Sequence, residues 1–197
     1  MLKFALCLGE RMKPMFSVHA GEYLTGSHIE ERFRHVNLWV PVKDTGIDLL
    51  VSDRRNRRTV SMQVKFSKDF LVANMRKQAP EFQRKLRACG WWTIHHEKLR
   101  RSAADYWVFV LQGFANASVD YVVIPPKELL RRLRRIHHTQ QPKLWQVYLW
   151  VTKTNSCWET RGLKRSDELL ITEDKFSDPH RDFKRFLNAW GKVASLN

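Results

Sequence analysis

Hydrophobic and polar positions alternate in blocks that predict an α/β chain. Residues 19–34 read as a helix, with Gly21 near its start and Tyr23, Leu24, His28, Ile29 and Phe33 as its apolar-leaning stripe. A strand over Val36 to Val42 is interrupted by Pro41. Two aliphatic runs, Gly46 to Ser52 and Thr59 to Phe66, flank the polar stretch Asp53-Arg54-Arg55-Asn56-Arg57-Arg58 and predict a tight hairpin. A helical segment is expected from Ser67 to about Cys89, broken at Pro80, with Arg76, Lys77, Arg84, Lys85 and Arg87 on its surface. Gly90 to Ile94 then reads as a turn and a short strand. Asp105 to Leu111 is a near-continuous apolar run, predicting a central buried strand, and Val119 to Ile124 is another. Pro125-Pro126 ends it and opens a helix over Lys127 to His137. Leu129, Leu130, Leu133 and Ile136 form its buried stripe, while Arg131, Arg132, Arg134 and Arg135 face outward, toward solvent or phosphate. Trp145 to Lys153 alternates as a late strand with apolar surface on both faces, which would suit a partner. Asp178-Pro179 has the chemistry of a helix start, with that helix running through Phe183, Phe186, Leu187 and Trp190 to Gly191.

Within the hairpin, three polar residues interrupt the apolar runs: Asp48, Gln63 and Lys65. Gln63 and Lys65 are two apart and leave the same face of their strand. Pairing that is symmetric about Asn56 sets Asp48 almost opposite Gln63. A carboxylate, an amide oxygen and an ammonium then converge. An Asp and a neutral oxygen can hold a hard cation such as Mg²⁺, and a lysine beside it can orient or deprotonate a water that attacks a phosphodiester. Each residue alone has an ordinary structural alternative, as a polar position on an exposed strand face, or, for Lys65, as an ion-pair partner of Asp48.

The pattern Gly46-Ile47-Asp48, fourteen residues, then Gln63-Val64-Lys65 resembles the core of the PD-(D/E)xK nuclease superfamily. Its QxK form is similar to Mrr-like restriction endonucleases and to archaeal Holliday-junction resolvases. The resemblance covers about Gly21 to Ser67, and more loosely the strands out to Pro126. Two departures stand out: the Pro-Asp dipeptide is absent, and Gln63 occupies the place of the usual second acid. The resemblance implies a restriction-endonuclease-like fold, a mixed β-sheet flanked by helices, and metal-dependent hydrolysis of DNA. It implies Asp48, the Gln63 side chain, the Val64 carbonyl and Glu22 of the preceding helix as holders of Mg²⁺ (Mn²⁺ substituting), with Lys65 activating the water. It also implies a homodimer. Glu22 has a structural alternative as well, since a carboxylate in a first helical turn favours the helix dipole. Arg54, Arg55, Arg57 and Arg58, with Lys68, are expected to grip the nucleic-acid backbone. Asp44 is read as a turn residue, and Glu30 and Glu31 as solvated surface.

Charge changes the picture in one way. Lys and Arg outnumber Asp and Glu by 35 to 20, giving a formal net charge of +15 and a pI near 10.1. Such a balance points to a polyanion, nucleic acid first and an anionic membrane surface second. Eight tryptophans offer surfaces for base stacking as well as core. Cys7, Cys89 and Cys157 are odd in number and far apart, which suits a reducing cytoplasm, and no Cys/His spacing suggests zinc. The adjacent pairs His95-His96 and His137-His138 point to opposite faces and are assigned no catalytic role. No apolar run approaches the ~20 residues that span a bilayer, and no Gly-rich phosphate loop, repeat or small-molecule cofactor motif is present. Residues 1–16 are expected to be a loosely ordered extension and 17–197 a single domain. Two other function classes stay open at this level: a catalytically silent nucleic-acid-binding module, and a structural or interaction subunit.

Overall fold

The computed structural model describes residues 20–68, 85–113 and 118–196. The amino-terminal extension, Cys7, and the central part of the helix expected after Ser67 (with Arg76, Lys77, Pro80 and Arg84) lie outside the described residues. In chain order the elements are α1 (Ala20–Arg32), β1 (Val36–Trp39), β2 (Leu49–Asp53), β3 (Thr59–Lys68), β4 (Leu86–His95), α2 (His96–Arg100), β5 (Tyr106–Gln112), β6 (Val119–Ile124), α3 (Pro126–Ile136), β7 (Leu144–Thr152), β8 (Cys157–Glu159), α4 (Arg165–Thr172), a 3-10 turn (Lys184–Phe186) and α5 (Gly191–Ala194).

The chain is mixed α/β, and its principal sheet is mixed and flanked by helices. Among the described residues that sheet runs β1-β2-β3-β5-β6 and a second runs β4-β7-β8. Every pairing is antiparallel except β3 with β5, which is parallel from Met62↔Tyr106 to Lys68↔Gln112. β5 is buried on both faces, as its unbroken apolar run predicts. Val108 and Val110 face one core with Ile29 of α1, Phe33 just after that helix and Met62 of β3. Trp107, Phe109 and Leu111 face another, filled by Trp92 and Ile94 of β4, Leu129 and Leu133 of α3, and Trp145, Val147 and Leu149 of β7. Tyr23, expected in the apolar stripe of α1, is exposed.

The hairpin between β2 and β3 closes on Asp53. Its backbone exchanges hydrogen bonds with Arg58 and Asn56, and its Oδ1 accepts the Arg57 N–H (2.8 Å). That N–H, the nearer of the donors, holds the Asp53 carboxyl below the usual range, against the effect of burial. Asn56 takes the left-handed conformation the turn needs (φ 55°). Its side-chain oxygen accepts from Ser52 Oγ (2.7 Å) and Asn37 Nδ2 (3.0 Å).

Four expectations are corrected. Leu86–Cys89 is strand, the first part of β4, and Gly90 to Ile94 continues it without a turn. Arg87 is not solvated helix surface: Asp120 receives its Nε and Nη2 (2.8 and 2.7 Å). Arg132 does not face outward. It is 5% exposed, paired with Glu128 and donating to the carbonyls of Pro179, His180 and Asp182. Those carbonyls are then committed, which is why Asp178 starts no long helix. Its Oδ1 does cap the His180 and Arg181 amides, but the chain turns away to bond with β8 through Phe183 N and Cys157 O. The late strand β7 packs part of each face within the chain. It is the middle strand of its sheet, one face in the core and Trp150 packed with Leu86, Cys89 and Ile171.

No helix among the described residues is long and apolar enough to cross a membrane. Cys89 and Cys157 lie in the interior, neither in a disulfide among the described residues, and burial pushes the Cys157 thiol well up.

Candidate active site

The β2–β3 ladder ends at Leu49↔Met62, while β3 runs on for six more residues paired with β5 alone. The site forms at this parting. Asp48 precedes β2, its amide donating to Met62 O (2.8 Å). Its Oδ2 accepts the Val64 N–H at 2.7 Å, where the next backbone acceptor of a continued ladder would be. Extending the register of the ladder by one step sets Asp48 directly opposite Gln63. A residue's N–H and C=O leave a strand on the same edge, so the Val64 carbonyl also points toward Asp48.

Glu22 arrives from the other side. α1 lies with its first turn against β3, and the contact is close: a Cβ on Gly21 would sit 2.7 Å from Phe66 Cβ and 3.2 Å from Val64 Cγ1. Only glycine lets the helix approach so near, and the next residue, Glu22, is thereby carried into the site, 5% exposed. Asp48 is 8% exposed. The helix-dipole role of Glu22 and a role in the site are compatible, because the first turn of α1 lies at the site.

The resulting cleft has a volume of about 520 Å³. Glu22, Asp48, Gln63, Val64 and Lys65 all line it, joined by the Asp44-Thr45-Gly46 turn and by Lys98, Arg101 and Ser102 from α2 and the loop after it. Asp44 is a turn residue as expected, its Oδ1 accepting the Gly46 amide (3.3 Å) before Gly46 takes φ 81°. It also faces the cleft. The Lys65 ammonium lies over the ring of Trp107, 5.2 Å from its centroid, and that ring is fixed by its Nε1–H bond to Ser102 Oγ (2.8 Å). Burial lowers the Lys65 pKa from the ordinary lysine value. Lys98 adds to the lowering, while Asp48, Asp44 and Glu22 oppose it.

The donor set suits a hard cation. The carboxylates of Asp48 and Glu22, the Gln63 amide oxygen and the Val64 carbonyl are all oxygens, which favours Mg²⁺ or Mn²⁺ over thiophilic metals. Among the described residues no three His, Cys, Asp or Glu gather as a metal cluster. The set therefore relies on an amide and a peptide carbonyl beside its two acids.

The hairpin arginines are not part of the cleft. Arg54, Arg55, Arg57 and Arg58 are exposed and surround, with His35 and Asp53, a separate hollow of about 780 Å³. Five residue steps along the strand separate Arg58 from Gln63, roughly 17 Å. Arg58 is also partly engaged by Asp53 (3.6 Å) and Arg54 by the Arg34 carbonyl (3.3 Å). Lys68 closes β3, and its side chain lies outside the described residues. The cations that do reach the cleft, Lys98 and Arg101, were missed. The run Lys98-Leu99-Arg100-Arg101 was their signal, and it was hidden because α2 is only one turn long.

Comparison with known proteins found no matching family model, no matching curated protein and no matching solved structure.

Proposed function

We propose that the chain is a metal-dependent DNA endonuclease of the PD-(D/E)xK type, on a restriction-endonuclease-like fold. The observation that carries this reading is the gathering of Asp48, Gln63, Val64, Lys65 and Glu22 around one cleft where two strands part. The helix before β1, the β1-β2-β3 meander and the parallel crossover to β5 support the same fold.

Asp48, Glu22, the Gln63 amide oxygen and the Val64 carbonyl would hold Mg²⁺. When bound there, the ion supplies positive charge to the phosphodiester and acidifies a water. The remaining steps belong to the chain. Lys65 Nζ, kept short of its full basicity by burial and by Lys98, takes a proton from the attacking water as the water oxygen bonds to phosphorus and the bond to the 3′ oxygen breaks, that oxygen leaving as a hydroxyl with a proton from solvent water. Lys98 and Arg101 bind non-bridging phosphate oxygens and align the backbone. Asp48 also fixes the β3 edge through Val64. The hairpin arginines bind flanking backbone at a distance from the cut. A homodimer would place a site on each strand of a duplex.

Incubation of supercoiled plasmid, linear duplex, single strand and a branched junction with Mg²⁺ or Mn²⁺ tests the reading. Metal-dependent cutting by the parent, lost in Asp48→Ala and Lys65→Ala, is the expected result. Equal cutting by Lys65→Ala refutes the mechanism. A second reading, a silent DNA-binding module of the same fold, is favoured by Gln63 and by the lack, among the described residues, of three His, Cys, Asp or Glu grouped so as to hold a metal ion. It predicts tight DNA binding with no heat of Mg²⁺ binding in calorimetry.

A further inference from the structure

Outside the cleft, α3 carries a second concentration of positive charge. Lys127, Arg131, Arg134 and Arg135 lie along one side of the helix and, with His138 and His180 from the loops beyond, line an open groove of about 820 Å³. No carboxylate lines it, in contrast to the cleft with Glu22, Asp44 and Asp48. The acid of this helix, Glu128, is shared among Arg131, Arg132 and Arg185. Arg131 is therefore held in place, and Lys127 and Arg135 have no ion-pair partner among the described residues. The stripe from Lys127 to Arg135 spans eight residue steps, about 12 Å of helix. That length matches three to four nucleotides of one strand at about 3.4 Å each.

We propose that Lys127, Arg131, Arg134 and Arg135 form a second, sequence-independent site for the phosphate backbone of a nucleic-acid duplex. The inference rests on the reading of the chain as a DNA-acting protein. α3 packs against α2, the helix that brings Lys98 to the cleft, so the groove and the cleft are carried by adjoining elements. The lining chooses the ligand. It holds no Phe, Tyr or Trp ring on which a single strand would stack. Its one apolar residue, Leu130, is buried, so the groove lacks the exposed apolar face that anchors a helix in a membrane surface. What remains is permanent positive charge in a concave strip, which suits a backbone ridge.

The test uses the full chain and a 20-base-pair duplex labelled for fluorescence anisotropy, titrated across a salt series in Ca²⁺ to prevent cutting. Lys127→Ala/Arg135→Ala removes two exposed cations and leaves the cleft intact. Its log–log salt slope should fall by about 2, and its Kd at 0.1 M salt should rise about 60-fold if affinities converge at 1 M. Its cutting rate at saturating DNA in Mg²⁺ should match the parent. Lys65→Ala, assayed alongside, should bind as the parent does and fail to cut. An unchanged slope and Kd in the double variant overturn the groove as a duplex site. So does a loss of binding confined to vesicles rich in phosphatidylserine, which assigns the groove to a lipid surface. Duplex binding without cutting by the parent refutes the nuclease reading and leaves the groove result to stand alone.

Discussion

Gly21→Ala is the sharpest single test of how the site is assembled. The added Cβ would lie 2.7 Å from Phe66 Cβ, 3.2 Å from Val64 Cγ1 and 3.4 Å from Phe66 Cγ. Phe66 Cβ is tied to the backbone of β3, so the helix rather than the strand must yield. Restoring an ordinary carbon contact of about 3.5–4.0 Å displaces the first turn of α1 by about 1 Å. Overpacking of this kind costs about 1–3 kcal/mol, and the gain in helix propensity from alanine returns up to about 1 kcal/mol. Net destabilisation is therefore about 0–2 kcal/mol, a small shift in Tm. The loss of activity should be much larger, because Glu22 moves with the turn and a displacement of about 1 Å at a reacting centre costs about 100-fold. Gly26→Ala is the control in the same helix. Its Cβ meets only Leu38 Cδ2 at 3.0 Å, the far end of a flexible side chain, so stability and cutting should be preserved. Thermal melts and single-turnover cutting on the two variants decide the matter. Parent-like activity in Gly21→Ala refutes the claim that close approach of α1 places Glu22.

Four further outcomes are expected. Asp48→Asn keeps an acceptor for the Val64 amide and should change Tm little while abolishing the Tm increase produced by Mg²⁺, whereas Asp48→Ala strands that N–H and should cost about 1–3 kcal/mol in urea unfolding. The pH–rate profile should rise with a limb below the ordinary lysine pKa, and Lys65→Arg should remove that limb. In the folded state Lys65 loses its proton more readily than in the unfolded chain. The unfolded chain thus binds more protons between the two values, and this residue alone makes stability rise with pH across that window and fall away as pH drops through the lowered pKa, which Lys65→Met should abolish in pH-dependent melts. Arg132→Ala should lose about 3–5 kcal/mol, since it leaves Glu128 and the carbonyls at 179, 180 and 182 without their buried donor. The Glu128 pKa is pulled to about 2 by its hydrogen bonds to Arg131 and then Arg132, so its stabilising share, present above pH ~4.5, should disappear in melts as pH falls toward 2. Gln63→Glu should tighten Mg²⁺ binding in calorimetry by about tenfold or more and move the Lys65 limb of the pH–rate profile upward.

The polar triad was legible because it depends on local order. Period-two alternation puts Gln63 and Lys65 on one face, and a hairpin centred near Asn56 can only bring Asp48 back beside them. The strands flanking Asn56, the buried strand β5 and the stripe of α3 follow from the same local periodicities. What was not legible depends on partners far away in sequence. Asp53 to Arg58 is adjacent to the strands of the cleft in the chain yet sits at the opposite end of the ladder, because a hairpin tip and the open end of the same hairpin are a strand length apart. Arg132 differs from Arg131 and Arg135 only in facing the loop at Pro179 to Asp182, and nothing in its neighbours reveals that. Leu86 to Cys89 reads as helix until β7, more than fifty residues later, supplies its ladder.

The charge balance of the cleft bears on the glutamine. Three acids, Glu22, Asp44 and Asp48, face three bases, Lys65, Lys98 and Arg101, inside a chain of net +15. A carboxylate at position 63 would add a fourth negative charge two residues from Lys65, on its own face of the strand. That charge would favour a metal ion, and it would equally favour the protonated form of the amine that accepts a proton in the proposed mechanism. Glutamine retains an oxygen toward the cation and withholds that stabilisation from the ammonium. The exchange of acid for amide thus weakens one part of the site and sharpens another. On this account burial of Lys65 and the neighbouring Lys98 are what make the exchange workable, because both hold down the basicity that a fourth acid would restore.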